Sequence, residues 1–223
     1  NSDGVSDELK AVVKFNGAIG EHGPHTVRLG PDGLLYLLCG NFAQPASELH
    51  PKSPYGAPYE GDLIQPRYED PQGYAVNVKA PGGAIYRTDT TGSFVERVAG
   101  GFRNPYDFAF NDDGELFTND ADMEWDIGVP WYRPTRINHV TSGAEYGFRN
   151  GSGKWPEYYI DSLGTVVDIG PGSPTGITFG YGAKFPAKYQ EALFINDWSF
   201  GKLRAVHLKP QGSSYVAESE EFI

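Results

Sequence analysis

The chain is poor in sulfur, with one cysteine, Cys39, and one methionine in 223 residues. A lone cysteine excludes an intrachain disulfide. Its setting, Leu37-Leu38-Cys39-Gly40, reads as a buried strand position rather than a reactive thiol. Basic residues are also scarce: 18 Lys and Arg stand against 29 Asp and Glu, a formal net charge of −11. That balance argues against nucleic acid, whose phosphates call for clustered Lys and Arg. No apolar run approaches the ~20 residues of a membrane span. Long helical periodicities are few, and no signal-peptide pattern opens the chain.

Turn formers and aromatics are abundant. The 29 Gly and 17 Pro, with 14 Tyr and 13 Phe, suit short strands joined by many turns. Three stretches replay one theme. Arg28-Leu29-Gly30-Pro31-Asp32-Gly33-Leu34-Leu35-Tyr36 is the first, and Phe108-Ala109-Phe110-Asn111-Asp112-Asp113-Gly114-Glu115-Leu116-Phe117 is the second. A looser third runs from Ile177-Thr178-Phe179-Gly180 through a turn at 184–189 to Leu193-Phe194-Ile195-Asn196-Asp197. Each reads as strand, turn, strand, with Asp-Gly supplying the positive φ of a tight turn in the first two.

The Asp-Gly pairs lie 81 residues apart, and Phe117 and Phe194 lie 77 apart. Both gaps exceed the roughly 40–50 residues of a propeller blade. Two stretches read as loop-like inserts, residues 42–79 and 126–171, and removing them brings the unit near blade length. The expected fold is therefore all-β, a β-propeller of which about three to four blades are present. An irregular β-sandwich is the other architecture that uses such units. Three or so blades cannot close a ring and would leave long sheet edges. Residues 1–223 are thus expected to form a single propeller domain that is part of a longer chain, or one that closes by pairing with a second copy as a homodimer.

Arg103-Asn104-Pro105, followed by Phe108-Ala109-Phe110 and an Asp-Gly turn, resembles the soluble quinoprotein glucose/sorbosone dehydrogenase family. Further likenesses follow in order: His25-Thr26-Val27-Arg28-Leu29-Gly30-Pro31-Asp32-Gly33, Gly83-Ala84-Ile85-Tyr86-Arg87, Gly143-Ala144-Glu145-Tyr146-Gly147-Phe148 and Ser173-Pro174-Thr175-Gly176. Asp122-Met123-Glu124-Trp125-Asp126 and Asn196-Asp197-Trp198-Ser199 are closer to a branch often fused to haem domains. The resemblance implies a six-bladed propeller that holds pyrroloquinoline quinone (PQQ) and calcium and oxidises a small-molecule sugar, an aldose. It also implies a periplasmic or secreted setting and an electron acceptor such as a haem c domain.

Carried over residue by residue, His25 matches the histidine that takes the sugar's hydroxyl proton, with one residue fewer before Arg28 than the family spacing. His22 is the alternative base. Arg103 and Asn104 match cofactor contacts, since a guanidinium can grip a quinone or carboxylate with its planar fork. The other reading of Arg103 is an ion pair with a carboxylate such as Asp107. Asn119-Asp120-Ala121-Asp122 matches the calcium loop, which makes Asp120 and Asp122 candidate metal ligands. Asp3 and Asp7 also resemble a calcium turn. The family's lysine falls near Lys202 but out of register, and its later cofactor arginines would lie past Ile223.

Two other functions fit the same sequence. One is a non-catalytic propeller that binds carbohydrate or a partner, with Trp131-Tyr132 and residues 155–159 as aromatic platforms. The other is a calcium-dependent lactonase or lyase of propeller type, which needs Asp and Glu ligands spread over several blades.

Overall fold

A computed structural model describes residues 8–17, 20–58, 75–123, 132–149 and 162–223. The Asp3/Asp7 turn, Trp131 and the 155–159 platform lie outside these residues. Among the described residues every regular element is a strand, apart from one short 3₁₀ turn at Ala187–Tyr189. No helix among them is long and apolar enough to cross a membrane.

The strands are β1 (Phe15–Gly17), β2 (Pro24–Leu29), β3 (Leu35–Cys39), β4 (Ala43–Pro45), β5 (Gly83–Thr88), β6 (Glu96–Phe102), β7 (Phe108–Phe110), β8 (Leu116–Asp120), β9 (Thr135–Val140), β10 (Val167–Gly170), β11 (Pro174–Phe179), β12 (Leu193–Asp197), β13 (Lys202–Gln211) and β14 (Ser214–Glu221). They form three four-stranded sheets, ordered β2-β3-β5-β6, β7-β8-β9-β10 and β11-β12-β13-β14, and a small pair β1-β4. All the strand pairings are antiparallel. Three blades are therefore present, each running outward from its first strand.

The repeat has a physical identity at the first corner of each blade. Gly30 N, Asn111 N and Gly180 N donate to Leu34 O, Glu115 O and Ala192 O. Gly33 N, Gly114 N and Ala183 N then close the turn onto Gly30 O, Asn111 O and Gly180 O. Gly33 and Gly114 adopt φ of 77° and 84°, the left-handed region that glycine enters without steric cost.

The middle strands of the second blade, β8 and β9, are buried at every residue, and that blade's side chains divide by period two between two cores. Phe108 and Leu116 pack toward Tyr36, Leu38, Ile85 and Phe102 of the first blade. Their neighbours Ala109 and Phe117 pack toward Ile177, Leu193, Ile195 and Val206 of the third. Burying a side chain of this size contributes about 1.5–3 kcal/mol, so the two interfaces hold the blades face to face.

Residues 126–171, read from sequence as an insert, contain the two outer strands of the second blade, β9 and β10. The reason is chemical. The β9 segment Thr135-Arg136-Ile137-Asn138-His139-Val140 looks polar, yet all six residues are buried. Residues 42–79 hold only β4 among their described part.

The inner strands meet at one carboxylate. Asp107 accepts from Arg28 Nε (3.2 Å) and Nη2 (2.7 Å) of the first blade, from Phe108 N (2.9 Å) of its own, and from Ile177 N (3.1 Å) of the third. Asp107 is thus the partner of Arg28, not of Arg103.

Candidate functional site

The segments that lead into β2, β7 and β11 converge at one end of the blades and enclose a cavity of about 330 Å³. His22 and His25 line it from the first blade, Arg103, Asn104, Tyr106 and Asp122 from the second, and Thr175 and Trp198 from the third. Five of the residues singled out from sequence, His22, His25, Arg103, Asn104 and Asp122, are therefore brought together. Asp120 lies beneath them, with no exposed surface.

His25 is half-buried at the start of β2. Its Nε2 lies 2.8 Å from Asn104 Oδ1, and its ring stacks on Tyr106 with centroids 4.6 Å apart. An amide oxygen can only accept, so Nε2 donates in this pair, and in the neutral ring Nδ1 is the acceptor. Asn104 is placed by Gly40, where a Cβ would come within 2.6 Å of Asn104 Oδ1. The amide fills the space that a side chain would need. Asn104 thus has a task that the sequence did not suggest: it holds the imidazole.

His22 is buried, stacked on Phe42, and shares a 2.6 Å hydrogen bond between Nδ1 and Asn41 Oδ1. Burial, aided by the nearby Arg103 guanidinium, pushes its pKa down to about 4. It is a neutral imidazole near neutral pH.

Asp120 explains how Arg103 and Asn104 are positioned. Its carboxylate accepts from Arg103 N (3.1 Å), Asn104 N (2.9 Å) and Ala121 N (3.0 Å), and pairs with Arg136 Nη2 at 3.4 Å. It therefore pins the loop whose side chains line the cavity. These donors take up the lone pairs that a cation would use, and Asp122 accepts from Gly172 N at 3.3 Å instead of joining it. Among the described residues no group of three or more His, Cys, Asp or Glu is gathered as a metal site. Neither Asp120 nor Asp122 belongs to such a group among the described residues.

The quinone is a different matter. A guanidinium, an amide and a hydroxyl on Thr175, beside the flat faces of Tyr106 and Trp198, suit a planar ligand that carries carboxylates and quinone oxygens. Lys202 pairs with Glu221 at 2.6 Å on the outer hairpin and is not part of this lining. Burial pushes the Cys39 thiol up to about 12 and keeps it protonated, as its strand setting suggested.

Sequence reasoning missed Tyr106, Thr175 and Trp198 as lining residues. One signal could have found them, because each stands where a blade's inner strand begins or its second strand ends. The repeat marks those places in all three units.

Solved structures share this architecture. No protein-family profile matches the chain, and no curated protein does. The PQQ-bound aldose sugar dehydrogenase of Streptomyces coelicolor matches with a TM-score of 0.55 at 19% identity, over 90% of this chain and 49% of that one. A glucose-dehydrogenase-type oxidoreductase of Thermus thermophilus matches with a TM-score of 0.59 at 17% identity, over 91% and 53%. The apo form of the soluble aldose sugar dehydrogenase of Escherichia coli matches with a TM-score of 0.52 at 18% identity, over 100% and 78%. This chain has the fold of the sugar dehydrogenase propellers. It spans about half the length of the first two.

Proposed function

We propose that the cavity is the sugar-oxidising site of a PQQ-dependent aldose dehydrogenase, complete or in part. The observation that carries this reading is the joint lining by a half-buried, amide-anchored His25 and the Arg103 guanidinium. A bound quinone would supply the hydride acceptor.

The chain's own residues do the rest. His25, with Nε2–H committed to Asn104, accepts the proton of the sugar's anomeric hydroxyl at Nδ1. Tyr106 fixes the plane of the imidazole by stacking. Arg103 grips carboxylate or quinone oxygens and offsets negative charge there. Asp120 holds the Arg103–Asn104 backbone so that both side chains keep their aim. His22 forms an uncharged wall beside Arg103, so no second cation competes with the guanidinium. The sugar loses the hydroxyl proton to His25 and a hydride from its anomeric carbon, two electrons and two protons in all, as it becomes a lactone. The electrons then pass to an external acceptor, for which a haem c domain in the periplasm or outside the cell is suited.

The test is retention and turnover. The purified protein is incubated with PQQ, desalted, and examined for quinone absorbance, then for sugar-dependent bleaching of an artificial electron acceptor over an aldose panel. Retained quinone with bleaching supports the reading. No retained absorbance and no bleaching with any aldose overturns it. Arg103→Ala should then weaken cofactor retention by about 1.5–3 kcal/mol, the range for a hydrogen bond to a charged group.

A further inference from the structure

Glu115, His139 and Ser214 form a chain of hydrogen bonds at the end of the blades away from the cavity. The imidazole of His139, in β9, is nearly closed to solvent. Its Nε2 lies 2.8 Å from Glu115 Oε2, and its Nδ1 lies 3.1 Å from Ser214 Oγ. A carboxylate only accepts, so Nε2 carries a proton toward Glu115, and in the neutral ring Nδ1 accepts from the serine hydroxyl. Acid, imidazole and hydroxyl thus stand in the order that activates a serine as a nucleophile. The two ring nitrogens are interchanged relative to the serine-protease arrangement, which leaves the path of the proton the same.

Each member is held by its own element. Glu115 ends the corner of the second blade, where its N donates to Asn111 Oδ1 at 2.8 Å. The imidazole stacks on Phe117 with centroids 5.1 Å apart and meets Tyr215 edge to face at 5.0 Å, so its plane is fixed. Ser214 opens β14 and pairs with Gln211 across a two-residue turn in which Gly212 takes a φ of 61°. A corner and a strand of the second blade and a strand of the third are needed, so the arrangement exists only in the folded protein.

Exposure separates this cluster from a structural bridge. A hydroxyl that only tied two blades together would be buried with its partner. His139 is buried, yet Ser214 is exposed. The serine meets solutes while its proton faces a buried base. A serine on a hairpin turn selects by the reactivity of the acyl carbon rather than by shape. That defines the substrate class as small esters with a good leaving group.

We infer that Ser214 is a nucleophile that takes an acyl group from small activated esters and passes it to water, independently of the sugar-oxidising site. Ser214 Oγ bonds to the acyl carbon as the hydroxyl proton moves to His139 Nδ1. The bond from that carbon to the leaving oxygen breaks, and the leaving alcohol takes the proton. In the second half Nδ1 accepts a proton from water, whose oxygen bonds to the acyl carbon, and returns it to Ser214 Oγ as the acyl–serine bond breaks. Ester and water become acid and alcohol, with no oxidant or reductant consumed. Glu115 stays a carboxylate throughout and balances the imidazolium.

The test reads a covalent adduct on the folded protein. A fluorophosphonate probe exchanges its P–F bond for a bond to a serine oxygen, and mass spectrometry of the digest locates the adduct. Ser214 should be labelled at least about tenfold faster than Ser213, its exposed neighbour. Hydrolysis of p-nitrophenyl acetate should fall to the buffer rate in Ser214→Ala. His139→Gln should slow labelling by about a hundredfold, the low end for a general base. Glu115→Gln leaves the core untouched and should slow it by about tenfold or more. Far-ultraviolet spectra check that the sheets persist in each variant.

The inference is overturned if no adduct forms, if Ser213 or any other serine is labelled as fast as Ser214, if Glu115→Gln leaves the rate unchanged, or if ester hydrolysis survives Ser214→Ala in full. None of these outcomes bears on the sugar-oxidising reading.

Discussion

Asp120 and Asp197 occupy the same station in successive blades, and each carboxylate gathers backbone N–H groups from the segment that leads into its blade's inner strand. Asp120 closes β8 and accepts from Arg103 N and Asn104 N; Asp197 closes β12 and accepts from Ser173 N. Each also accepts from a residue just after itself, Ala121 N or Ser199 N. One acidic side chain at a strand end thus shapes two strands of the cavity wall. In the first blade the station is Cys39, and no carboxylate is present there.

Asp120→Asn should be costly although it changes the size of the side chain little. The amide replaces one acceptor oxygen with a donor that faces N–H groups, in a site closed to water. The expected loss is about 1–3 kcal/mol, read as a lower urea midpoint at unchanged slope. Asp122→Asn, on the partly exposed rim, should cost less.

Gly40→Ala should disturb His25 without touching it. The new methyl would meet Asn104 Oδ1 and His22 O, both at 2.6 Å, so the amide must swing away. The imidazole resonances of His25 should shift in a histidine-labelled nitrogen spectrum as its Nε2–H loses its acceptor. Asn104→Ala should produce the same shift. Unchanged His25 signals in both variants would rule out the anchoring role.

Asp107→Ala should loosen the junction of three blades. It leaves Phe108 N and Ile177 N without their acceptor and strips Arg28 of its partner. A loss of about 3 kcal/mol is expected in denaturant unfolding. Arg28→Gln should cost far less, because Arg28 is largely at the surface and water can hydrate what remains.

His22 should make stability depend on pH in a defined direction. Its folded pKa of about 4 lies below the ordinary value of 6.5, so the unfolded chain binds the extra proton first. The contribution is complete above pH 6.5 and is lost as pH falls toward 4, with a slope of up to about 1.4 kcal/mol per pH unit. His22→Gln should flatten the urea-midpoint profile across that window and leave it unchanged above.

The fold was legible where local chemistry announced it. Asp32-Gly33 and Asp113-Gly114 mark corners because only a few residues accept their φ, and the apolar runs on either side become β2, β3, β7 and β8. The outer half of the second blade was not legible. In β9, Arg136 reaches Asp120 and Tyr146 O, and His139 reaches Glu115 and Ser214. Such buried polar pairs are made by distant segments, and no local pattern signals them. At the site, His25, Arg103 and Asn104 were marked by their motifs. Whether an acidic side chain faces solvent, a metal or backbone donors depends on where the preceding loop lies, so the hold of Asp120 on the Arg103–Asn104 backbone was not legible.

The corner turns have a practical consequence for handling the protein. They stand at the opposite end of the blades from the cavity, and Asp113 in the second corner is exposed. The only native thiol, Cys39, is buried and unreactive. Asp113→Cys would therefore introduce a single chemically addressable sulfur on the far rim. A molecule grafted to a gold electrode through it would stand in one orientation, with its cavity mouth turned to the solution.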